Sequence, residues 1–235
     1  RSTLFPYTTL FRSSYNNRRS VIMILPGGGY SSLSKWNEGY LWIPFFHRLG
    51  YTVAVLEYRM PFHDYTIPKT DASEAIITLK QQVNNLGYDK DRIGLMGFSA
   101  GGHLASTMML SEVDSIRPNY VILFYPVISM RKELAHMGSH DNLLGKDASE
   151  KLESQYSNEL HISEKNPPVF IIVSKNDSVV NPLNSILLSK EIDRIGRPVS
   201  LHIYPEGGHG WGYIKSFPYR EQMTIDMINW LDSID

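Results

Sequence analysis

The chain has 235 residues, 23 Lys and Arg against 24 Asp and Glu, 42% hydrophobic residues and no cysteine. That is ordinary composition for one globular α/β domain, which at this length buries a core without disulfides or a structural metal. A net charge of −1 gives no basic excess for nucleic acid or an anionic membrane, no apolar run reaches the roughly 20 residues that span a bilayer, and the missing cysteines exclude thiolate zinc sites and cysteine nucleophiles.

At the N-terminus, Thr3 to Ser13 (TLFPYTTLFRS) is similar to the in-frame translation of a short-read sequencing adapter oligonucleotide. Residues 1–13 are therefore expected to be a non-native artefact, with residues 14–235 forming a single domain. On that expectation the native start has been lost, and with it any signal peptide and any strand before Val21. Localisation stays open: periplasmic or secreted if a signal peptide was lost, cytoplasmic otherwise.

From Val21 onward short apolar runs alternate with amphipathic stretches. VIMIL (Val21 to Leu25) ends at PGGGY, as a buried parallel strand entering a tight turn does. A helix is predicted from about Trp36 to Leu49, then a strand over Tyr51 to Tyr58. Next comes a helix from about Asp71 to Leu86, where Ala72, Ala75, Ile76, Leu79 and Val83 recur at spacings of three and four. Arg92 to Phe98 reads as a strand running directly into a helix from Ser99 to about Leu110, and Tyr120 to Pro126 as the next strand. Residues 127–166, rich in His, Ser, Asn and Lys, are expected to form a cap-like insertion. Strand Val169 to Ser174, helix Pro182 to Ile195, strand Val199 to Pro205 and helix Tyr219 to Leu231 complete the pattern. Such alternation implies a mostly parallel twisted sheet with helices on both faces, its chemistry in the loops after the strands.

Three of those loops carry suggestive residues. GFSAG (Gly97 to Gly101) fits GxSxG at a strand-to-helix junction, where a sharp turn can lift a serine oxygen above the sheet edge. A serine needs an imidazole to take its proton, and that imidazole needs a carboxylate to orient it. His209, in PEGGHGWG after the strand Val199 to Pro205, and Asp177, in SKNDSVVNP after Val169 to Ser174, supply both in the chain order Ser, acid, His. Ser99, His209 and Asp177 are the expected nucleophile, base and orienting acid. His103, four residues after Ser99, is read as a packing or supporting polar group; His47, His63, His136, His140, His161 and His202 are read as surface or cap residues. The backbone N–H groups of Ala100, Gly28 and Gly29 are expected to form an oxyanion hole. The three glycines lack the longer phosphate-binding patterns, so no nucleotide site is expected. Tyr30, Trp36 and Trp211 are candidate sugar-stacking residues, although aromatic residues are more often core.

With these residues in place, the chain from about Val21 onward resembles an α/β-hydrolase, and more narrowly the bacterial acetyl xylan esterases and related carbohydrate acetyl esterases. The likeness extends beyond GFSAGGHLA to PGGGY, WNEG (Trp36 to Gly39), EYRMP (Glu57 to Pro61), RPNYVILFYPVIS (Arg117 to Ser129), NDSVVNPLNS (Asn176 to Ser185) and GGHGWG. It implies hydrolysis of a short acyl ester, such as acetate on xylan or another plant carbohydrate, with no metal and no organic cofactor. The expected partner is a small-molecule or oligosaccharide ester; neither nucleic acid nor membrane is expected, and oligomeric state is left open. It also implies strands ahead of the PGGGY strand, missing here or replaced by the adapter-like residues. Two alternatives share the pattern. A prolyl-oligopeptidase-like serine peptidase uses the same residues but usually adds a propeller domain, for which 235 residues leave no room. The other is a non-catalytic, hydrolase-derived binding module, which has no need of all three side chains.

Overall fold

A computed structural model describes residues 2–5, 8–11 and 18–234. In chain order the elements are β1 (Ser2–Phe5), β2 (Thr8–Phe11), β3 (Val21–Leu25), α1 (Ile43–Arg48), β4 (Thr52–Leu56), α2 (Thr66–Gln81), α3 (Val83–Leu86), β5 (Ile93–Phe98) and α4 (Ser99–Met109). They continue with β6 (Tyr120–Phe124), α5 (Met137–Leu144), α6 (Glu150–Gln155), β7 (Val169–Ser174), α7 (Leu183–Arg194), β8 (Val199–Tyr204) and α8 (Arg220–Ile234). The strands form one eight-stranded sheet in the order β1-β2-β4-β3-β5-β6-β7-β8. The strands from β3 onward are mutually parallel, while β2 runs antiparallel to β4 and β1 antiparallel to β2.

The central strands read as unbroken apolar runs because both of their faces are covered. In β3 alternate side chains enter different cores: Val21, Met23 and Leu25 face the layer with Ala72, Ile76, Leu104 and Leu188, whereas Ile22 and Ile24 face Trp42, Phe46, Met223 and Met227. Helices α2, α4 and α7 thus cover one side, and α1 and α8 the other. No helix among the described residues is long and apolar enough to cross a membrane.

Several sequence boundaries shift, each for a local reason. The helix expected from Trp36 begins only at Ile43, after a 3-10 turn at Tyr40–Trp42. Residues 36–39 are held in a turn by the Glu38 carboxylate, which points inward to accept the Gly27 N–H at 2.9 Å. Helix α2 starts at Thr66 rather than Asp71, because Pro68 sits in the first turn, where its missing N–H costs no hydrogen bond. The segment 127–166, expected as a cap-like insertion, carries helices α5 and α6. His136 and Ser149 cap α5 and α6 through their side chains, and Leu143, Leu144 and Tyr156 join the main core. The strands ahead of β3 are supplied by the adapter-like residues: Thr8–Phe11 pairs along β4, with Leu10 buried and the buried Thr8 hydroxyl without a hydrogen-bond partner among the described residues.

Candidate active site

The parallel strands end together along one edge, and the loops after β3, β5, β7 and β8 meet there. Ser99 follows β5 directly. Its φ of 51° places a non-glycine residue in the left-handed region, between extended Phe98 and the first turn of α4. Close packing makes glycine obligatory around this turn. A Cβ on Gly101 would fall 2.1 Å from the Leu25 carbonyl oxygen, and one on Gly27 would fall 2.8 Å from both Phe98 O and Ser99 Cβ. The loop after β3 is therefore pressed against the serine.

The imidazole of His209 bridges to that serine, its Nε2 lying 2.9 Å from Ser99 Oγ and accepting the hydroxyl proton. Its Nδ1–H donates to Asp177 Oδ2 at 2.7 Å. The other carboxylate oxygen of Asp177 accepts the N–H groups of Val179 at 2.9 Å and Val180 at 3.0 Å, so the buried acid has both oxygens engaged. The His209 loop is fixed on both flanks. Gly208 N–H donates to Asn176 Oδ1 at 2.9 Å, and Gly210 O accepts from Asn37 Nδ2 at 2.7 Å. Ser99, His209 and Asp177, singled out in the sequence on separate loops, thus form one hydrogen-bonded chain.

Gly28 has φ of 132°, and a Cβ there would lie 2.2 Å from the Ser32 carbonyl oxygen. Among the described residues the N–H groups of Gly28 and Gly29 donate to no acceptor, and that of Ala100 opens α4, where the helix dipole favours negative charge. Ala100 directly follows Ser99, and Gly28 and Gly29 directly follow Gly27, where an added Cβ would meet Ser99 Cβ. A cavity of about 610 Å³ lined by Lys69, Thr107, Glu112 and His161 lies apart from the serine.

Two residues of the site escaped sequence reasoning. Glu38 is buried, with Oε2 accepting from Gly27 N–H and Oε1 from Tyr125 O–H at 2.8 Å, while Tyr125 Oη accepts the Gly212 N–H at 2.8 Å. This relay ties the loop after β3 to the loop bearing His209. Burial raises the Glu38 carboxyl pKa above its ordinary value, against the pull of those two donors and of His209. Tyr125 itself, with φ of 37°, packs its ring against His209 at 4.7 Å between centroids. The sequence signal for both was their place in the WNEG and RPNYVILFYPVIS stretches, which carried no role for either side chain.

The histidine readings divide. His103 is buried, its Nδ1 2.9 Å from Tyr30 Oη and its Nε2 2.8 Å from Tyr156 O, a supporting role as expected. His140 lies in the segment expected as a cap, but it is fully buried between Asp141 Oδ1 at 2.9 Å and Glu153 Oε1 at 3.1 Å, where two carboxylates compensate its burial. The aromatic expectations also need correction. Tyr30 and Trp211 are each only 2% exposed, Tyr30 against Tyr58 and His103, Trp211 stacked on Phe217, which leaves no ring face for a sugar. Trp36, 68% exposed, is the one candidate with an open face. Among the described residues no group of three or more His, Asp or Glu side chains is placed to hold a metal ion.

A parallel sheet covered on both sides, with serine after β5, acid after β7 and histidine after β8, defines an α/β-hydrolase. The chain belongs to the BD-FAE family, whose model matches residues 10–192. It is 38% identical over 218 residues to an acetylxylan esterase of Xylanibacter ruminicola, covering 91% of this chain and 45% of that protein. It is 30% identical over 220 residues to endo-1,4-beta-xylanase B of Butyrivibrio fibrisolvens, covering 86% of this chain and 34% of the relative. The chain spans less than half the length of these curated relatives. Among solved structures, an acetyl ester-xyloside bifunctional hydrolase from Caldicellulosiruptor lactoaceticus superposes with a TM-score of 0.90 at 32% identity, over 97% of this chain and 87% of that one. Thermogutta terrifontis esterase 2 superposes with a TM-score of 0.81 at 25% identity, over 97% and 89% of the two chains.

Proposed function

We propose that this chain is a serine esterase that removes short acyl groups, acetyl foremost, from xylan or another plant carbohydrate. The observation that carries the reading is the hydrogen-bonded chain from Asp177 through His209 to Ser99. His209 Nε2 takes the Ser99 proton as Oγ attacks the ester carbonyl, and the N–H groups of Gly28, Gly29 and Ala100 receive the developing oxyanion. The same proton passes from His209 to the departing alcohol, leaving an acyl-enzyme on Ser99. Water then gives a proton to His209 as its oxygen attacks the acyl carbon, and the carboxylic acid leaves as Oγ regains its proton. Asp177 remains ionised and holds the imidazole in its productive tautomer. Trp36 is the proposed platform for a sugar ring.

The choice of acetyl and carbohydrate rests on the likeness to the Xylanibacter ruminicola acetylxylan esterase and the Caldicellulosiruptor lactoaceticus hydrolase. An assay across acetylated xylan, acetylated monosaccharides and p-nitrophenyl esters of increasing chain length tests it. Acetate release from xylan and falling activity beyond short acyl chains are expected, and Ser99→Ala should remove all activity above background. Wild-type rates in that variant would overturn the nucleophile; cleavage of long-chain esters alone would overturn the substrate class.

A further inference from the structure

The mechanism leaves His136 unused, although it stands beside the glycine loop. Its Nδ1 accepts the Ser139 N–H at 3.2 Å, capping α5, and lies 2.9 Å from Ser139 Oγ. A nitrogen that accepts a backbone N–H carries no proton, so the ring proton resides on Nε2. Burial, then the neighbouring His209, holds the His136 pKa below its ordinary value, and the ring is therefore a neutral donor near pH 7. Its Cε1, which lies between the two ring nitrogens, is 3.9 Å from where a Cβ on Gly29 would project. Helix α5 is tied to that same glycine, because Asn142 Nδ2 donates to Gly29 O at 2.8 Å. Nε2 itself has no hydrogen-bond partner among the described residues. A half-buried imidazole with an N–H that has no partner among the described residues thus stands beside an expected oxyanion donor.

We propose that His136 is a specificity-determining residue whose Nε2–H donates to a hydroxyl or ring oxygen on the alcohol half of a carbohydrate ester bound at Ser99. An acetyl methyl offers such a donor nothing to bond, whereas a sugar surrounds the ester with acceptors. The inference rests on the esterase reading given above. Two substitutions separate substrate binding from helix capping. His136→Asn places an amide oxygen where Nδ1 stands, keeping the cap and deleting Nε2. His136→Gln gives up the cap but carries an N–H donor out toward the Nε2 position.

Steady-state kinetics of both variants on an acetylated xylo-oligosaccharide and on p-nitrophenyl acetate test the assignment. His136→Asn should raise KM for the sugar ester about tenfold, the worth of one lost hydrogen bond, with kcat and p-nitrophenyl acetate hydrolysis close to wild type. His136→Gln should recover most of that loss. An unchanged KM in His136→Asn, equal losses on both substrates, or a larger loss in His136→Gln than in His136→Asn would overturn the proposal, the last by making His136 a cap alone. Wild-type activity on p-nitrophenyl acetate but not on the oligosaccharide would overturn it while leaving the esterase reading intact. Inactivity of the wild type on both would overturn the two together.

Discussion

Single residues set the chemistry. Ser99, His209 and Asp177 were legible because each stands immediately after an apolar strand, and the ends of neighbouring parallel strands lie at one edge. What composition and spacing could not show is how the acid is occupied: Asp177 accepts two backbone N–H groups besides the imidazole. Asp177→Asn leaves those contacts to the amide oxygen but turns an N–H2 toward His209 Nδ1, favouring the wrong tautomer. A fall in kcat of about 10⁴ with little change in KM is expected from p-nitrophenyl acetate kinetics. A fall of only a few-fold would show that the acid lies elsewhere. The aromatic candidates were least legible, because exposure depends on packing partners distant in sequence. Trp211 finds Phe217 and Tyr125, Tyr30 finds Tyr58 and His103, and Trp36 finds an open surface.

At the scale of elements, strands were read more accurately than helices. Val169–Ser174 and Val21–Leu25 have the predicted bounds, since a strand buried on both faces announces itself as an unbroken apolar run. Helix starts depended on side chains folding back. Glu38 holds residues 36–39 out of the predicted helix, and His136 caps a helix in a stretch whose polarity suggested irregular chain. Glu38 also joins elements that carry different parts of the site. Glu38→Ala would strand the Gly27 N–H and the Tyr125 O–H without acceptors, at about 1 to 3 kcal/mol each. Urea unfolding should show the variant less stable by about 2 kcal/mol or more, with reduced kcat, because the two loops lose their shared anchor. Unaltered stability and turnover would remove Glu38 from this account.

At the scale of the molecule, the mostly parallel sheet and two-sided core follow from alternating strands and helices, whereas the strand order and the long-range polar ties do not announce themselves. His103 is the clearest tie, linking α4 to Tyr30 after β3 and to Tyr156 after α6. Burial pushes its pKa down to about 4 from an ordinary 6.5. The unfolded chain therefore binds a proton between these values that the folded chain refuses, so stability rises with pH across the window and is lost on acidification through it. The loss attributable to this site is roughly 3 kcal/mol between pH 6.5 and pH 4, visible in urea unfolding at several pH values. His103→Gln should flatten that part of the profile; an unchanged slope would refute the assignment. The central claim, that Ser99 is a nucleophile activated by His209 and oriented by Asp177, is tested most directly by intact-mass and peptide analysis after exposure to a fluorophosphonate. The account predicts one adduct, on Ser99, lost in Ser99→Ala and strongly slowed in His209→Ala. No adduct, or an adduct on another serine with Ser99 untouched, would contradict it.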